Sequence, residues 1–270
     1  MALAKFKLTL AFDGTNYQGW QTQKIGTGAQ QIVELALARL FPSHPILHGS
    51  SRTDSGVHAL GLVAHFEVPS AEVRMTDTKL ILGLNAWLPD DIRIFDAVRV
   101  PLGFHARFDA REKEYRYCIW NRPWMNPLLR RTAWHVPKPL NFAAMKRAAR
   151  AFLGRHDFRA FTSNPGYARE QTVRTITRCQ VRREAGLLTF VIRGDGFLYK
   201  MCRGIVGTIV QTGMGKFRAE EILPILKKKD RRLAGMTAPS HGLVLWEVFY
   251  PPAKPGKVKP RKHRGPNQPL

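Results

Sequence analysis

The chain has 270 residues, of which 44% are hydrophobic and 10% aromatic, enough to bury the core of one large domain or of two ordinary ones. It carries 43 Lys and Arg against 20 Asp and Glu, a formal net charge of +23, so we expect an anionic partner, either nucleic acid or a membrane surface. Its apolar stretches are shorter than the roughly 18 residues of a membrane span, so no membrane-spanning helix is predicted. Its three cysteines have no metal-binding or redox spacing, so we expect a cytoplasmic protein.

The first hundred residues have the element order β-α-β-β-α-β. Strands are predicted over 5–12, 45–51, 58–68 and 91–100, and helices over 28–41 and 77–88. The first strand alternates apolar and polar residues and leads directly into Asp13-Gly14, which favours a strand over a secretory signal. This is the order of a split-βαβ, or ferredoxin-like, unit.

The second part of the chain has a similar order with longer insertions. Strands are predicted over 111–120, 172–184, 186–194 and 241–250, and helices over 140–154, 197–213 and 219–230. Two tandem βαββαβ units predict an α+β protein with two antiparallel sheets side by side and a basic cleft between them.

The boundary between the two units is predicted near 102–110, which gives halves of 1–104 and 105–250. Residues 251–270 hold six Pro, six Lys or Arg and no acidic residue, so we expect a disordered basic tail. Without that tail 37 basic residues still face 20 acidic ones, and the folded body is basic in its own right.

Several common kinds of enzyme site have no motif here. The nine histidines include no H-x-x-H or H-E-x-x-H pair, so no metal site is predicted. There is no G-x-x-x-x-G-K-[ST] loop and no G-x-G-x-x-G turn, which argues against a nucleotide cofactor. There is also no G-x-S-x-G elbow for a serine nucleophile. An enzyme with this sequence has to work without a cofactor.

One acidic residue stands in an unusual setting, the stretch HGSSRTDSGVHALG that contains Asp54. Asp, Ser and Gly are ordinary turn residues, so a solvent-exposed turn and an arginine-positioning residue are both open interpretations. The other interpretation is chemical: Arg52 and Thr53 are placed to donate to the carboxylate, and nearby positive charge keeps an aspartate ionised. An ionised, hydrogen-bonded carboxylate suits a nucleophile or a base.

The stretch GSSRTDSGVHALGLVAHF closely resembles the signature G-R-T-D-A-G-V-H-A-x-G-Q-V-x-H-F of the tRNA pseudouridine synthase A family. Other stretches resemble the same family in the same order, and together they cover nearly the whole chain except the tail: FDGTNYQGWQTQ, FHARFDAREKEYRYCIWN, HDFRAFTSN, TVRTI, GDGFLYKMCRGIVG and GLVLWEVFY. The departures from the pattern are small. Ser51 replaces a glycine, Ser55 an alanine, Leu62 a glutamine and Cys202 a valine.

The resemblance implies an activity and an assembly. The reaction is the isomerisation of uridine to pseudouridine in the tRNA anticodon stem-loop, at positions 38 to 40. It uses neither a cofactor nor a metal, the fold is a pair of RRM-like halves around a cleft, and the active unit is a homodimer bound to tRNA.

The resemblance also implies roles for five residues. Asp54 matches the nucleophile, which attacks the ribose anomeric carbon or C6 of uracil, or acts as a base in a glycal route. Arg203 matches an arginine that is paired with this aspartate, and Tyr115 a tyrosine that stacks on the target base. Leu243 matches an apolar residue of the uracil pocket, and Arg52 is expected to contact the flipped nucleotide or its backbone.

Flipping a stem nucleotide costs a few kcal/mol, which basic residues that hold the phosphates have to supply. The candidates are Arg93, Arg99, Arg107, Arg111, Arg116, Arg155, Arg159, Arg169 and Arg174.

A non-catalytic RNA-binding or RNA-folding protein of two RRM-like units is the alternative function. It leaves Asp54 without a role, since an acidic group weakens RNA binding. A base methyltransferase is a third hypothesis, but the sequence has no glycine-rich cofactor loop.

Overall fold

The computed structural model describes residues 2–23, 25–163 and 172–252. The predicted basic tail lies outside these residues except for Pro251 and Pro252, and so does Arg169. In the described residues the strands are β1 Leu3–Phe12, β2 His48–Gly49, β3 His58–Pro69, β4 Ile92–Val100, β5 Glu112–Trp120, β6 Trp134–His135, β7 Gly154–Asp157, β8 Val173–Glu184, β9 Leu187–Gly194 and β10 Leu243–Phe249. The α-helices are α1 Ala29–Leu40, α2 Asp77–Trp87, α3 Phe142–Arg150, α4 Met201–Gly213 and α5 Ile222–Lys228.

The strands form one mostly antiparallel sheet in the order β4-β1-β3-β10-β5-β9-β8-β7, with β2 paired to β3 and β6 paired to β5. The last of the described strands, β10, lies in the middle of this sheet. Strand β10 runs parallel to β3, with Val244 opposite His58, and antiparallel to β5, with Leu245 opposite Tyr115. It therefore joins the strands of the first hundred residues to those of the second part. The predicted α+β fold class is confirmed.

The alternation seen in the sequence explains how β1 enters the core. Phe6, Leu8, Leu10 and Phe12 are buried, as expected for the inward face of a strand with a period of two. The ring of Phe6 stacks on that of Phe66 from β3, at 5.4 Å between centroids. Helix α4 is buried along most of its length, and its partly exposed residues are Arg203 and Gln211.

Several element boundaries differ from the predictions. Helix α4 begins at Met201 rather than at 197, because Lys200 takes a left-handed conformation (φ 57°) that an α-helix cannot contain. Helix α3 ends at Arg150, and Gly154 (φ 99°) opens the short strand β7 in place of the predicted last helical turn. The predicted strand over 45–51 is reduced to two residues. Strands β6 and β7 were not predicted, since two to four residues are too few to show a period.

Candidate active site

A cavity of about 760 Å³ lies between the β2–β3 loop, β5 and the segment that precedes α4. Asp54, Arg52, Tyr115 and Leu243 all line it, although they come from distant parts of the sequence. Arg203 of α4 contacts Asp54. The structure thus brings together all five site residues that the sequence singles out. The volume is within the usual range for pockets that hold a small organic ligand.

The loop that carries Asp54 is held by the segment after β1. The Trp20 N–H donates to the Thr53 carbonyl at 3.4 Å, and the Gly56 N–H donates to the Tyr17 carbonyl at 3.2 Å. Gly19 has φ 90°, and a Cβ there would stand 2.2 Å from the Thr53 carbonyl oxygen. Only glycine allows this approach, which explains why the FDGTNYQGW stretch accompanies the Asp54 loop.

Asp54 and Arg203 form an ion pair at the edge of the cavity. Arg203 Nη1 donates to Asp54 Oδ2 at 2.8 Å, and the two side chains are only 14% and 17% exposed. Arg203 Nε donates to the Ala238 carbonyl at 2.7 Å, so the guanidinium is fixed at two points. Gly207, one turn further along α4, makes room for the segment before Ala238, because a Cβ there would stand 1.8 Å from the Met236 carbonyl oxygen.

The prediction that Arg52 and Thr53 donate hydrogen bonds to the Asp54 carboxylate is wrong. Neither Arg52 nor Thr53 makes a hydrogen bond to the carboxylate: Arg52 is exposed at the cavity, and the Thr53 hydroxyl is buried with no partner among the described residues. The Asp54 carboxylate is bound by α4 instead. Its Oδ1 atom receives no hydrogen bond in the part of the chain that the structure describes, which leaves that oxygen available to a ligand.

Tyr115 and Leu243 supply buried, largely apolar surface. Each side chain is 5% exposed. The ring of Tyr115 packs edge-on against Phe197, at 5.0 Å and 80°. Its hydroxyl shares a hydrogen bond of 3.1 Å with Ser51 Oγ, and burial raises the pKa of the phenol well above its usual range. Tyr115 is therefore a neutral aromatic surface, because its phenol stays protonated at any ordinary pH.

The same cavity is lined by basic side chains. Arg107, Lys113 and Arg174 line it together with Arg52 and Lys200. Burial and the nearby charges of Arg107 and Arg174 lower the pKa of Lys113 to about 8. Arg107 and Arg174 belong to the nine arginines proposed above, but Lys113 was missed. Its position two residues before Tyr115 on a predicted strand is the signal that could have found it, since such residues share a face.

Three histidines, His48, His65 and His105, pack together beside the cavity. His48 and His105 line the cavity. Their neighbour His65 stacks on His48 at 5.1 Å between ring centroids and meets His105 edge-on at 4.7 Å. Its Nδ1 accepts a hydrogen bond from the Ala106 N–H at 3.2 Å, and burial is the main cause that lowers its pKa to about 4. His65 is thus a neutral acceptor that holds the segment carrying Arg107. Within the described ranges, no group of three or more His, Cys, Asp or Glu side chains is arranged to bind a metal.

The arrangement suits one kind of chemistry. A carboxylate with one oxygen fixed and one available faces a cavity that also presents a neutral aromatic ring and a leucine. Basic groups of the same cavity attract phosphate. Such a site can hold a planar, uncharged base of a nucleic acid next to a nucleophile.

None of the helices formed by the described residues is long and apolar enough to cross a membrane.

Comparison with known proteins agrees with this chemistry. The family model described as tRNA pseudouridine synthase matches residues 9–109 and 148–251. A curated protein of Acetivibrio thermocellus named tRNA pseudouridine synthase A is 47% identical over 244 residues, which cover 90% of this chain and 98% of that protein. Proteins with the same name from Ruminiclostridium cellulolyticum and Methylacidiphilum infernorum are 43% and 40% identical, and the matches cover 92% and 93% of this chain and 100% and 98% of those proteins.

Proposed function

Because this chain belongs to the tRNA pseudouridine synthase family, we propose that it isomerises uridine to pseudouridine in the anticodon stem-loop of tRNA, at positions 38 to 40, with Asp54 as the nucleophile. The family makes it an isomerase that acts on tRNA. The observation that carries the finer proposal is the Asp54 carboxylate at the cavity, held by Arg203 at 2.8 Å and accompanied by Tyr115 and Leu243.

The reaction exchanges one bond of the nucleotide for another. The bond from uracil N1 to ribose C1′ breaks, the uracil turns, and a bond forms from C5 to C1′. The proton on C5 is released and N1 takes up a proton, so the composition of the nucleotide does not change. The Asp54 carboxylate starts this sequence through Oδ1, while the hydrogen bond from Arg203 to Oδ2 keeps the group oriented. The guanidinium is suited to this because its own position is fixed by the Ala238 carbonyl.

The uracil must stay in the site while it is detached. We assign this task to Tyr115, whose ring stacks on the base, and to Leu243, which contacts it from β10. A flat, neutral surface lets a planar ring turn without breaking directional bonds. Arg52, exposed beside the nucleophile, contacts the flipped nucleotide or its backbone. Base flipping costs about a few kcal/mol, which phosphate contacts have to offset.

The proposal includes the organisation of the protein. Residues 1–104 form the half that carries the Asp54 loop, and 105–250 the half that carries Tyr115, Arg203 and Leu243. The enzyme acts in the cytoplasm as a homodimer. The pairing of β10 with both β3 and β5 supports this division, since it is where the two groups of strands meet.

The test is tritium release from an anticodon stem-loop RNA that carries uridine labelled at C5. We expect Asp54→Asn to lower the release rate at least about a thousandfold while the RNA still binds, because the amide removes the nucleophile and keeps its shape. The control is Asp157→Asn, which breaks the Lys229 ion pair outside the cavity and should leave the rate within about threefold. Release near the wild-type rate by Asp54→Asn overturns the role of Asp54. Unchanged release from RNA with cytidine at positions 38 to 40 overturns the target.

A further inference from the structure

One side of the cavity collects positive charge from three separate elements. Arg107 lies between β4 and β5, Lys113 on β5 and Arg174 on β8, and all three line the cavity. Lys113 Nζ is half-buried and donates to the Ser50 carbonyl at 2.6 Å, at the start of the loop that carries Asp54. This places a fixed ammonium group beside the catalytic loop rather than a freely moving surface lysine.

The charges of Arg107 and Lys113 favour the binding of an anion. Arg107 and Arg174 repel the charge of Lys113, and this repulsion adds to burial in favouring the uncharged amine. Among the described residues no carboxylate forms an ion pair with Arg107 or Lys113, and the acceptors of Lys113 are neutral: the Ser50 carbonyl and, at 3.4 Å, the Ser51 hydroxyl. A negatively charged ligand would bind all three cations and remove their mutual repulsion.

The distance from Tyr115 indicates which anion fits. Lys113 and Tyr115 are two residues apart on β5 and therefore share a face, at a separation of roughly 6.5–7 Å along the strand. A nucleotide spans a similar distance from its base to its phosphate. A base stacked on Tyr115 thus brings a neighbouring phosphate to the Lys113 ammonium.

We propose that Arg107, Lys113 and Arg174 form a subsite for one phosphodiester next to the flipped uridine, with Lys113 binding it in the protonated form. This subsite rests on the proposed function, since it assumes that the base stacks on Tyr115. It assigns to Lys113 a substrate-binding role, in addition to its hydrogen bond to the Ser50 carbonyl.

The subsite makes RNA affinity depend on pH. In the free enzyme the Lys113 pKa of about 8 means that the amine loses its proton as the pH rises from 7 to 9. The charged groups that face it, Arg107 and Arg174, keep their charge in this interval because guanidinium groups do not titrate there. Affinity for the stem-loop therefore falls over this interval in the wild type. Lys113→Arg keeps its charge and should show a flatter profile.

The decisive experiment neutralises one phosphate at a time. Stem-loop RNAs with a single methylphosphonate on either side of the target uridine are titrated against the full-length wild type, Lys113→Met, Lys113→Arg and Lys79→Met. Lys79 is the matched control, an exposed lysine on α2 that does not line the cavity. For one of the two positions we expect the wild type to lose about ten- to a hundredfold in affinity, the size of one charge-assisted contact. Lys113→Met should lose the same factor on unmodified RNA and little more on the modified one.

Each outcome decides a different point. An equal methylphosphonate penalty in Lys113→Met and the wild type overturns the subsite, and so does a wild type that shows no penalty at either position. Lys113→Arg that keeps the wild-type penalty supports the subsite and shows that the substitution has not simply disturbed the fold. Tritium release measured on the same RNAs separates the two proposals. A wild type that binds with the penalty but forms no pseudouridine keeps the subsite and overturns the proposed function.

Discussion

The pair formed by Arg203 and Asp54 can be broken without removing the carboxylate, by Arg203→Met. The two side chains are largely buried, and the guanidinium also serves the Ala238 carbonyl at 2.7 Å. The substitution therefore leaves a carboxylate without its counter-charge and a carbonyl without its donor. Breaking a buried pair costs about 3–5 kcal/mol, and the remaining exposure reduces this to roughly 2–4 kcal/mol of unfolding free energy.

Activity should fall more steeply than stability. The Asp54 side chain is still present but loses the contact that orients it, and a displacement of about 1 Å at a reacting group costs roughly a hundredfold in rate. We expect Arg203→Met to lower kcat at least about a hundredfold with a small change in KM for the stem-loop RNA. Arg203→Lys keeps the charge but cannot make both hydrogen bonds, so its kcat should lie between the two.

The measurements are tritium release at saturating RNA and urea unfolding of the same preparations. The control is Arg193→Met, which breaks the 2.5 Å pair with Glu112 in the sheet, outside the cavity. It should lower the unfolding free energy while leaving kcat within about threefold. The reasoning is refuted if Arg203→Met keeps kcat within threefold of the wild type, or if Arg193→Met lowers kcat as much as Arg203→Met does.

Three further predictions concern the surroundings of the pair. Tyr115→Phe should lower kcat/KM by less than about tenfold, because the hydroxyl makes only one hydrogen bond. Tyr115→Ala should lower it by roughly ten- to a hundredfold, because the ring supplies stacking of about 1–3 kcal/mol. Equal losses of kcat/KM in steady-state kinetics of the two variants would contradict this. Gly19→Ala should lower the free energy of unfolding in urea by at least about 2 kcal/mol and reduce activity, since its Cβ would stand 2.2 Å from the Thr53 carbonyl oxygen at a φ of 90°. An unchanged free energy of unfolding would show that the Asp54 loop is not held there. The folded-state pKa of His65, about 4, lies below its ordinary 6.5, so its contribution to stability is full above pH 6.5 and is lost as the pH falls toward 4. Thermal melts should therefore show a melting temperature that declines less steeply with falling pH for His65→Gln than for the wild type. Parallel curves of melting temperature against pH would exclude His65 as a cause.

Much of the fold follows from local patterns in the sequence. Strands β1, β3, β4, β5, β8, β9 and β10 and helices α1 to α5 were all predicted. Alternation was the signal for β1, β4 and β5, and helical spacing was the signal for α1. The errors lie at boundaries. The left-handed Lys200 that starts α4 late has no sequence signal of the kind that a glycine would provide. Strands β6 and β7 are held by their neighbours and are too short to have a pattern of their own.

The candidate site depended on more than local pattern. The glycine- and serine-rich loop around Asp54 could be recognised from the residues, but the choice of Asp54 as the proposed nucleophile came from the family resemblance. From the residues of the loop alone the donors to the carboxylate were expected to be Arg52 and Thr53. The structure places Arg203 there, as the resemblance implied, 149 residues away along the chain. Nothing within a window of ten residues encodes such a contact.

The sequence by itself determined the element order and the basic charge, and it predicted the Asp54 loop and, through resemblance, the four other site residues. Only the tertiary structure decided that β10 lies between β3 and β5, and with it which side chains share the cavity. It also decided that Lys113 joins Arg107 and Arg174, and that Oδ1 rather than Oδ2 of Asp54 is left available. The physical reason is that periodicity reports which face of an element is buried, whereas strand order and side-chain contacts depend on packing between residues far apart in the chain.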